Sequence, residues 1–325
     1  MAIASARANI ALVKYWGKRT LDTNLPAAGS LSLTLEALET RTAVELLDGP
    51  ADTLELDGTP AAAKATGRVS RFLDLVRQRT GRSERAAVKS ANDFPTAAGL
   101  ASSASAFAAL AKAAAEAYGW DASDRELSVL ARQGSGSAAR SVFGGFARMH
   151  AGTREDGEDA FAEPLEGSSI ELHAVVAVAD AREKTVGSTD GMELTRHTSP
   201  YHAAWLAQVD VDLETCTQAL RGGDFEALAT VVEGSCLAMH ANAMSARPGL
   251  IYFGPSTLLA IDRVRQLRAE GTPVCFTVDA GPHVVAFTPP DHVETVAAAL
   301  REVPLVARVF SSAPGEGART EPSFT

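Results

Sequence analysis

The sequence predicts an α+β protein built from two domains. Its 325 residues are about twice the ~150-residue prior for one domain. The first part of the chain mixes short β-rich runs with turns and Ala-rich helical stretches, whereas the second half carries longer helical periods followed by strand-sized apolar runs. Helices packed on mostly antiparallel sheet are the simplest architecture for that order. The change of texture puts a boundary near 170 to 185, giving an N-terminal domain at 1–180 and a C-terminal domain at 181–325.

The elements follow in turn. Runs 30–35 (SLSLTL) and 42–47 (TAVELL) predict two strands, and Asp57-Gly58 predicts a tight turn before Thr59-Pro60. From 66 to 79, Val69, Phe72, Leu73 and Val76 recur at helical spacing, with a stop near Gly81. A strand at 86–90 leads into the small, polar stretch 92–104 (NDFPTAAGLASSA), then an Ala-rich helix at 104–118 that ends at Gly119. Ser123-x-x-Glu126 is a capping-box pattern; the helix it starts buries Leu127, Leu130 and Ala131 and must break at 134–137 (GSGS). Strands are predicted at 143–150 and 170–179. In the second half, 213–220, 225–232 and 256–269 have helical spacing, the last with Ser256 as cap and Gly271 as stop. Strands at 274–278, 284–287 and 306–310 surround a helix at about 293–301.

Composition excludes several classes of function. Hydrophobic residues at 46% and charged residues at 22% describe a globular chain able to bury a core. Thirty Lys plus Arg against 40 Asp plus Glu give −10, with a pI near 5.2, which argues against broad binding to nucleic acid or anionic membrane. Any phosphate must therefore be held by a local pocket. Cys216, Cys236 and Cys275 form neither a CxxC nor a Cys/His cluster, which speaks against a disulfide framework and a zinc site and fits a reducing cytoplasm. Lys14 and Lys18 interrupt the N-terminal apolar run, and nothing approaches the ~20 residues of a membrane span. A soluble, unprocessed, cytoplasmic protein is the expectation.

Four segments have chemical potential. Stretch 94–104 presents backbone N–H groups and the hydroxyls of Ser102, Ser103 and, one residue on, Ser105 at the start of a long helix, an arrangement suited to an anion. The same pattern is also that of a tight strand-to-helix turn with serine caps, and it lacks the Gly-Lys-Ser/Thr of a Walker loop. Loop 134–140 (GSGSAAR) repeats the recipe and adds Arg140, whose planar fork suits carboxylate or phosphate, or else is solvated on a linker. In 9–18 (NIALVKYWGK), two lysines and two aromatics crowd before a glycine, as a ligand contact or as a snorkelling strand end. In 276–282 (FTVDAGP), Asp279 ends an apolar strand, as an Asx-turn or as a carboxylate perturbed by a nearby cation.

Together these segments resemble the diphosphomevalonate decarboxylases, or mevalonate diphosphate decarboxylases, of the GHMP kinase superfamily. The matching text is NIALVKYWGKR, NLPAAGSLSLTL, NDFPTAAGLASSASAFAAL, RQGSGSAARSVFGGF, GSTDGM, HTSP, AMHA and FTVDAGP, in family order from residue 9 to residue 282. The resemblance implies an N-terminal ribosomal-protein-S5-domain-2-like domain and a C-terminal ferredoxin-like sandwich, with the active site in the cleft between them. It also implies ATP and Mg2+ as cofactors, homodimer formation, and phosphorylation of the tertiary 3-hydroxyl of (R)-5-diphosphomevalonate. Loss of the 3-phosphate with CO2 then gives isopentenyl diphosphate in the mevalonate pathway.

By matching position, the resemblance makes Asp279 the base or orienter at the 3-hydroxyl and Lys14 its charge partner, with Arg140 on the substrate carboxylate or a neighbouring phosphate. Substrate contacts implied are Tyr15, Trp16, Gly17, Lys18, Arg68, Ser135, Gly136, Ser137, Ala138, Ala139, Ser188 and Thr189. The ATP phosphates would lie on Pro95, Ala98, Gly99, Leu100, Ala101, Ser102, Ser103 and Ser105. No dedicated carboxylate cage is seen, so the metal ion would be held by nucleotide and water. His283 departs from the Asn usual after DAGP in the family, with a consequence for local hydrogen bonding or substrate preference. The alternatives are a decarboxylase of 5-phosphomevalonate, a mevalonate 3-kinase that does not decarboxylate, and a silent nucleotide-binding homologue.

Overall fold

The computed structural model describes residues 1–93, 102–179 and 186–324. The chain opens with β1 (Ala2–Val13), β2 (Lys18–Thr20), β3 (Leu25–Pro26) and β4 (Ser30–Leu47). The hairpin β5 (Thr53–Leu56) and β6 (Thr59–Pro60) follows, with Asp57 at φ 48° and Gly58 at φ 78° making its turn. Next come α1 (Ala63–Thr80), β7 (Arg85–Asn92), α2 (Ser102–Ala117), α3 (Asp124–Gly134), a 3-10 helix (Gly136–Val142), β8 (Phe146–Met149) and β9 (Ala162–Pro164). The second half holds β10 (His173–Ala179), α4 (Ser188–Thr198), α5 (His202–Gly222), α6 (Phe225–Met244) and α7 (Pro255–Ala269). It closes with β11 (Cys275–Val278), β12 (Val284–Thr288), α8 (Val293–Arg301), β13 (Val306–Ser312) and β14 (Arg319–Thr320).

The larger sheet runs β14-β1-β4-β7-β5-β6, with β8 and β9 added beside β4, and only the β5–β7 pair among its described pairs is parallel. The smaller sheet is antiparallel in the order β11-β12-β10-β13. With α4 to α7 joining β10 to β11 and α8 joining β12 to β13, this is the ferredoxin-like connection. Strand β10 lies before residue 180 in the chain yet pairs with β12 and β13, and β14 returns from the far end to pair with β1.

The layers explain the apolar pattern. On one side of the larger sheet, Ala4, Ala6, Val44 and Val88 pack against Phe72, Phe107 and Leu130 of α1, α2 and α3. Beyond it, Ile10, Leu12, Leu31 and Leu33 share a core with Trp205, Leu213 and Val232 of α5 and α6. Alternation in the smaller sheet then sends Ala174, Val176, Val285 and Phe287 to that same core, and Val175, Ala177, Val284 and Ala286 to α7 and α8. The α5–α6 layer is thus held between the two sheets, which fixes the halves against one another through buried apolar area at about 25 cal/mol per Å².

Two local expectations change. The strands foreseen at 30–35 and 42–47 are one, because the all-buried β1 runs beside both. Arg7 pairs with Glu39 and Asn9 with Thr34, so residues 35–38 bulge out instead of turning. Helix α7 is capped by Gly254 with Pro255 in its first turn, and Ser256 is buried inside it. The capping box of α3 forms as read: Ser123 Oγ accepts from Glu126 N–H, and the Glu126 carboxylate accepts from Ser123 N–H at 3.0 Å. The three cysteines are free and buried. Among the described residues, no helix is long and apolar enough to cross a membrane.

Candidate active site

Two strand ends, one from each of the larger sheets, meet at the cleft. Lys14 follows the last residue of β1 and Asp279 the last of β11, and their Nζ and Oδ1 atoms lie 2.5 Å apart. The lysine side chain is 1% exposed, while the aspartate is 34% exposed and turned toward a cleft of about 1160 Å³. Helix α6 registers the two ends. Ser235 Oγ accepts the Lys14 N–H at 3.0 Å, Cys236 Sγ accepts the Val278 N–H at 3.1 Å, and His240 Nε2 donates to the Val278 carbonyl at 3.1 Å.

Arg140, on the 3-10 helix, reaches the cleft wall beside Asp279. Its Nε donates to Ser32 Oγ at 2.9 Å and Asn9 Oδ1 at 3.2 Å, and its Nη1 donates to Ser30 Oγ at 2.5 Å. These neutral oxygens aim the fork without cancelling its charge. Burial pulls the guanidinium down to about 10, opposed by the attraction of Asp279. An anion entering here relieves that penalty. Asn9 extends the brace by donating to the Ser137 carbonyl at 3.0 Å and to Ser141 Oγ at 2.8 Å.

A serine-rich wall faces this pair. Ser102 and Ser103 open α2, Ser103 Oγ lies 3.1 Å from Ser135 Oγ, and Ser135 Oγ lies 3.4 Å from Ser137 Oγ. All four line the cleft, as do Tyr15, Trp16, Gly136, Ser188 and Thr189. Gly136 leaves room for Tyr15, whose ring hydroxyl a Cβ there would overlap. Burial pushes the Tyr15 phenol well above its ordinary value, so it faces the cleft as a neutral donor.

The floor carries further cations. Lys18 is 6% exposed and its ammonium donates to Asn24 Oδ1 at 2.6 Å and Thr189 Oγ1 at 3.2 Å. Arg68 donates to the Gly134 carbonyl at 2.7 Å, lies 4.5 Å over the Phe107 ring, and is joined on the cleft face of α1 by Lys64 and Arg71. Burial, then repulsion by Arg68, lowers Lys18 to about 8.

Several expected contacts are elsewhere. Ser105 is fully buried, its hydroxyl 2.7 Å from Thr40 Oγ1, because it occupies the sheet-facing side of α2. Ala138 and Ala139, on the 3-10 helix itself, are fully buried in apolar clusters. Gly17, at φ 129°, is packed beside Ala27 and His202 and supports the cleft through its backbone. His283 is buried, with Nδ1 accepting the Ala179 N–H at 3.0 Å, so it braces the end of β10. Pro95, Ala98, Gly99, Leu100 and Ala101 lie outside the described residues. Sequence reasoning passed over Asn9, Asn24, Ser30, Ser32 and Ser235. The alternation in SLSLTL, which puts Ser30 and Ser32 on the face opposite Leu31 and Leu33, was the available signal.

Among the described residues, no group of three or more His, Cys, Asp or Glu is placed to hold a metal ion. The hydroxyls at the α2 N-terminus suit phosphate oxygens, so a divalent cation fits this cleft as the companion of a nucleotide.

Fold and cleft define a protein of the GHMP kinase class, in which an α+β half bearing a serine-rich helix start meets a second half bearing the carboxylate. More particularly, the chain belongs to the diphosphomevalonate decarboxylase family. The family models for a diphosphomevalonate decarboxylase-like N-terminal domain and a mevalonate 5-diphosphate decarboxylase C-terminal domain match residues 6–162 and 174–315. The diphosphomevalonate decarboxylase of Aspergillus fumigatus is 36% identical over 323 residues, which cover 93% of this chain and 80% of that one. The crystal structure of mevalonate diphosphate decarboxylase from Staphylococcus aureus is 37% identical, with a TM-score of 0.94 and coverage of 98% of this chain and 97% of that one. A solved complex, MDDEF with MVAPP, AMPPCP and magnesium, is 40% identical, with a TM-score of 0.92 and 99% of each chain covered.

Proposed function

We propose that the chain catalyses the ATP-dependent decarboxylation of (R)-5-diphosphomevalonate to isopentenyl diphosphate, ADP, phosphate and CO2. The observation that carries this is the 2.5 Å Lys14–Asp279 pair opening onto the same cleft as Arg140 and the Ser102–Ser103 helix start. Asp279 holds the substrate's 3-hydroxyl oxygen in line with the γ-phosphate of ATP and takes up its proton as the new O–P bond forms and the bond to the ADP oxygen breaks, while Lys14 neutralises charge that develops there. Phosphoryl transfer turns a poor leaving group into a good one. The C3–O bond then breaks as the electron pair of the carboxylate's C–C bond becomes the new double bond, releasing phosphate and CO2. Arg140 holds the carboxylate until it leaves, and Ser102 and Ser103 receive nucleotide phosphate. Mg2+ supplies charge screening on the triphosphate.

The test incubates the protein with ATP, Mg2+ and, separately, mevalonate, its 5-phosphate and its 5-diphosphate, following CO2 and ADP independently. CO2 and ADP in equal amounts, with the diphosphate strongly preferred, are expected. Preference for the monophosphate, or ADP without CO2, overturns the assignment. We further assign a homodimer in the cytoplasm, which light scattering coupled to size exclusion and cell fractionation check.

A further inference from the structure

We propose that Asn24 is a positioning residue that holds the Lys18 ammonium in place while leaving its charge uncompensated, so that the cation is reserved for the phosphorylated end of the substrate. This rests on the function proposed above for the identity of the substrate, but not for the anion site itself.

Lys18 uses two of the three ammonium donors, and both acceptors are neutral: Asn24 Oδ1 at 2.6 Å from the first half and Thr189 Oγ1 at 3.2 Å from α4. Among the described residues, no carboxylate lies within ion-pair distance of Lys18, although Asp190 and Glu193 of α4 exert a longer-range attraction and Arg68 of α1 repels it. Its ammonium titrates near 8, as an uncompensated buried cation does.

The amide of Asn24 is fixed in the one orientation that presents its oxygen. Its Nδ2 donates to the Gln133 carbonyl at 2.7 Å, so Oδ1 must face the ammonium. The backbone sits at φ 50°, a conformation that suits Asn. The adjoining Thr23 carbonyl is gripped by Arg132, a fully buried guanidinium whose other bonds go to the carbonyls of Ala160 at 2.9 Å and Gly157 at 3.1 Å. A carboxylate at position 24 would keep the reach to the ammonium but would cancel its charge and give up the bond to the Gln133 carbonyl. The amide therefore separates positioning from neutralisation, which makes this more than a structural contact.

The experiment uses the full chain and three measurements: calorimetric binding of inorganic diphosphate, steady-state KM and kcat, and the pH dependence of kcat/KM. Asn24→Asp, nearly isosteric, should weaken diphosphate binding and raise KM by about tenfold or more with kcat little changed. It should also move the alkaline limb of kcat/KM upward from near 8, because a carboxylate stabilises the charged lysine. Asn24→Gly, compatible with the positive φ, should raise KM several-fold without moving that limb upward. Diphosphate affinity of Asn24→Asp within twofold of the parent, or an unmoved alkaline limb, overturns the proposal. Should Asn24→Asp fail to fold, unchanged diphosphate affinity in Asn24→Gly overturns it equally. A parent protein that binds inorganic diphosphate in an Asn24-dependent way but releases no CO2 upholds this inference and refutes the assigned reaction.

Discussion

Lys14 and Asp279 are 265 residues apart in sequence, yet their side chains touch at 2.5 Å. The pair joins the end of the first strand of one sheet to the end of a strand of the other. Asp279→Asn keeps the shape and removes the charge. Turnover should fall by about 10³-fold with the melting temperature nearly unchanged, since general acid–base groups contribute about 10²–10⁴. Lys14→Met should cost nearly as much, and the double variant should be far less impaired than the product of the two effects, because the residues act as a unit. Single-turnover kinetics on all three proteins checks this.

Arg140 is 2% exposed and donates to Ser30, Ser32 and Asn9. Arg140→Lys should lower kcat/KM by about 10²-fold, because one ammonium cannot reproduce the fork that these oxygens aim. Ser32→Ala should lose about 1 kcal/mol of stability and a smaller factor in kcat/KM. Chemical denaturation beside steady-state assays separates the two.

The ammonium of Lys18, lowered to about 8 by burial and Arg68, gives the alkaline limb its sign. Anion binding needs the protonated form, so kcat/KM should fall above pH 8, about tenfold per unit. Folding stability should move the other way. The unfolded lysine titrates near 10.4, so between about 8 and 10.4 the unfolded state holds a proton that the folded state has released, and stability from this group rises with pH. Lys18→Met should remove both dependences.

His240 is 2% exposed and donates to the Val278 carbonyl, and burial lowers it to about 4. Below pH 6.5 the unfolded histidine takes a proton that the folded one refuses. Stability from this group is therefore complete above 6.5 and lost as pH falls toward 4, by up to about 3 kcal/mol. Urea melts of the parent and His240→Gln at pH 4.5 and 7 test this: the variant should show the shallower pH dependence.

Gly136 faces Tyr15 where a Cβ would overlap its hydroxyl. Gly136→Ala should destabilise the protein by about 1–3 kcal/mol through overpacking and raise KM, as Tyr15 is displaced from the cleft wall. Thermal melts and KM measured together check it.

Local chemistry was legible where neighbours in sequence are neighbours in space. The Ser123–Glu126 capping box, the Asp57-Gly58 hairpin and the helix at 293–301 all depend on groups a few residues apart, and they appear in the structure as the sequence indicated. The motif text likewise pointed to Lys14, Arg140 and Asp279, because residue types crowded against glycines and strand ends are visible without coordinates. The relationships that make a site of them were not visible. Asn9 meets Ser141 across 132 positions, and Arg140 meets Ser30 across 110. No periodicity encodes such a distance, since the pairing depends on which strand edges the two sheets and the α5–α6 layer bring together. The bulge at 35–38 arose in the same way, imposed by the long β1 alongside. Ser105, Ala138 and Ala139 sit on motif segments yet turn into the core, because each helix has one buried face and the tertiary packing chooses which residues occupy it. By itself, then, the sequence determined many of the local elements, the family text and the chemical types available, but not β1, α4 or the joining of β4 into one strand. Only the tertiary structure decided which atoms face the cleft, because burial and long-range hydrogen bonding are properties of the packed layers and not of any segment.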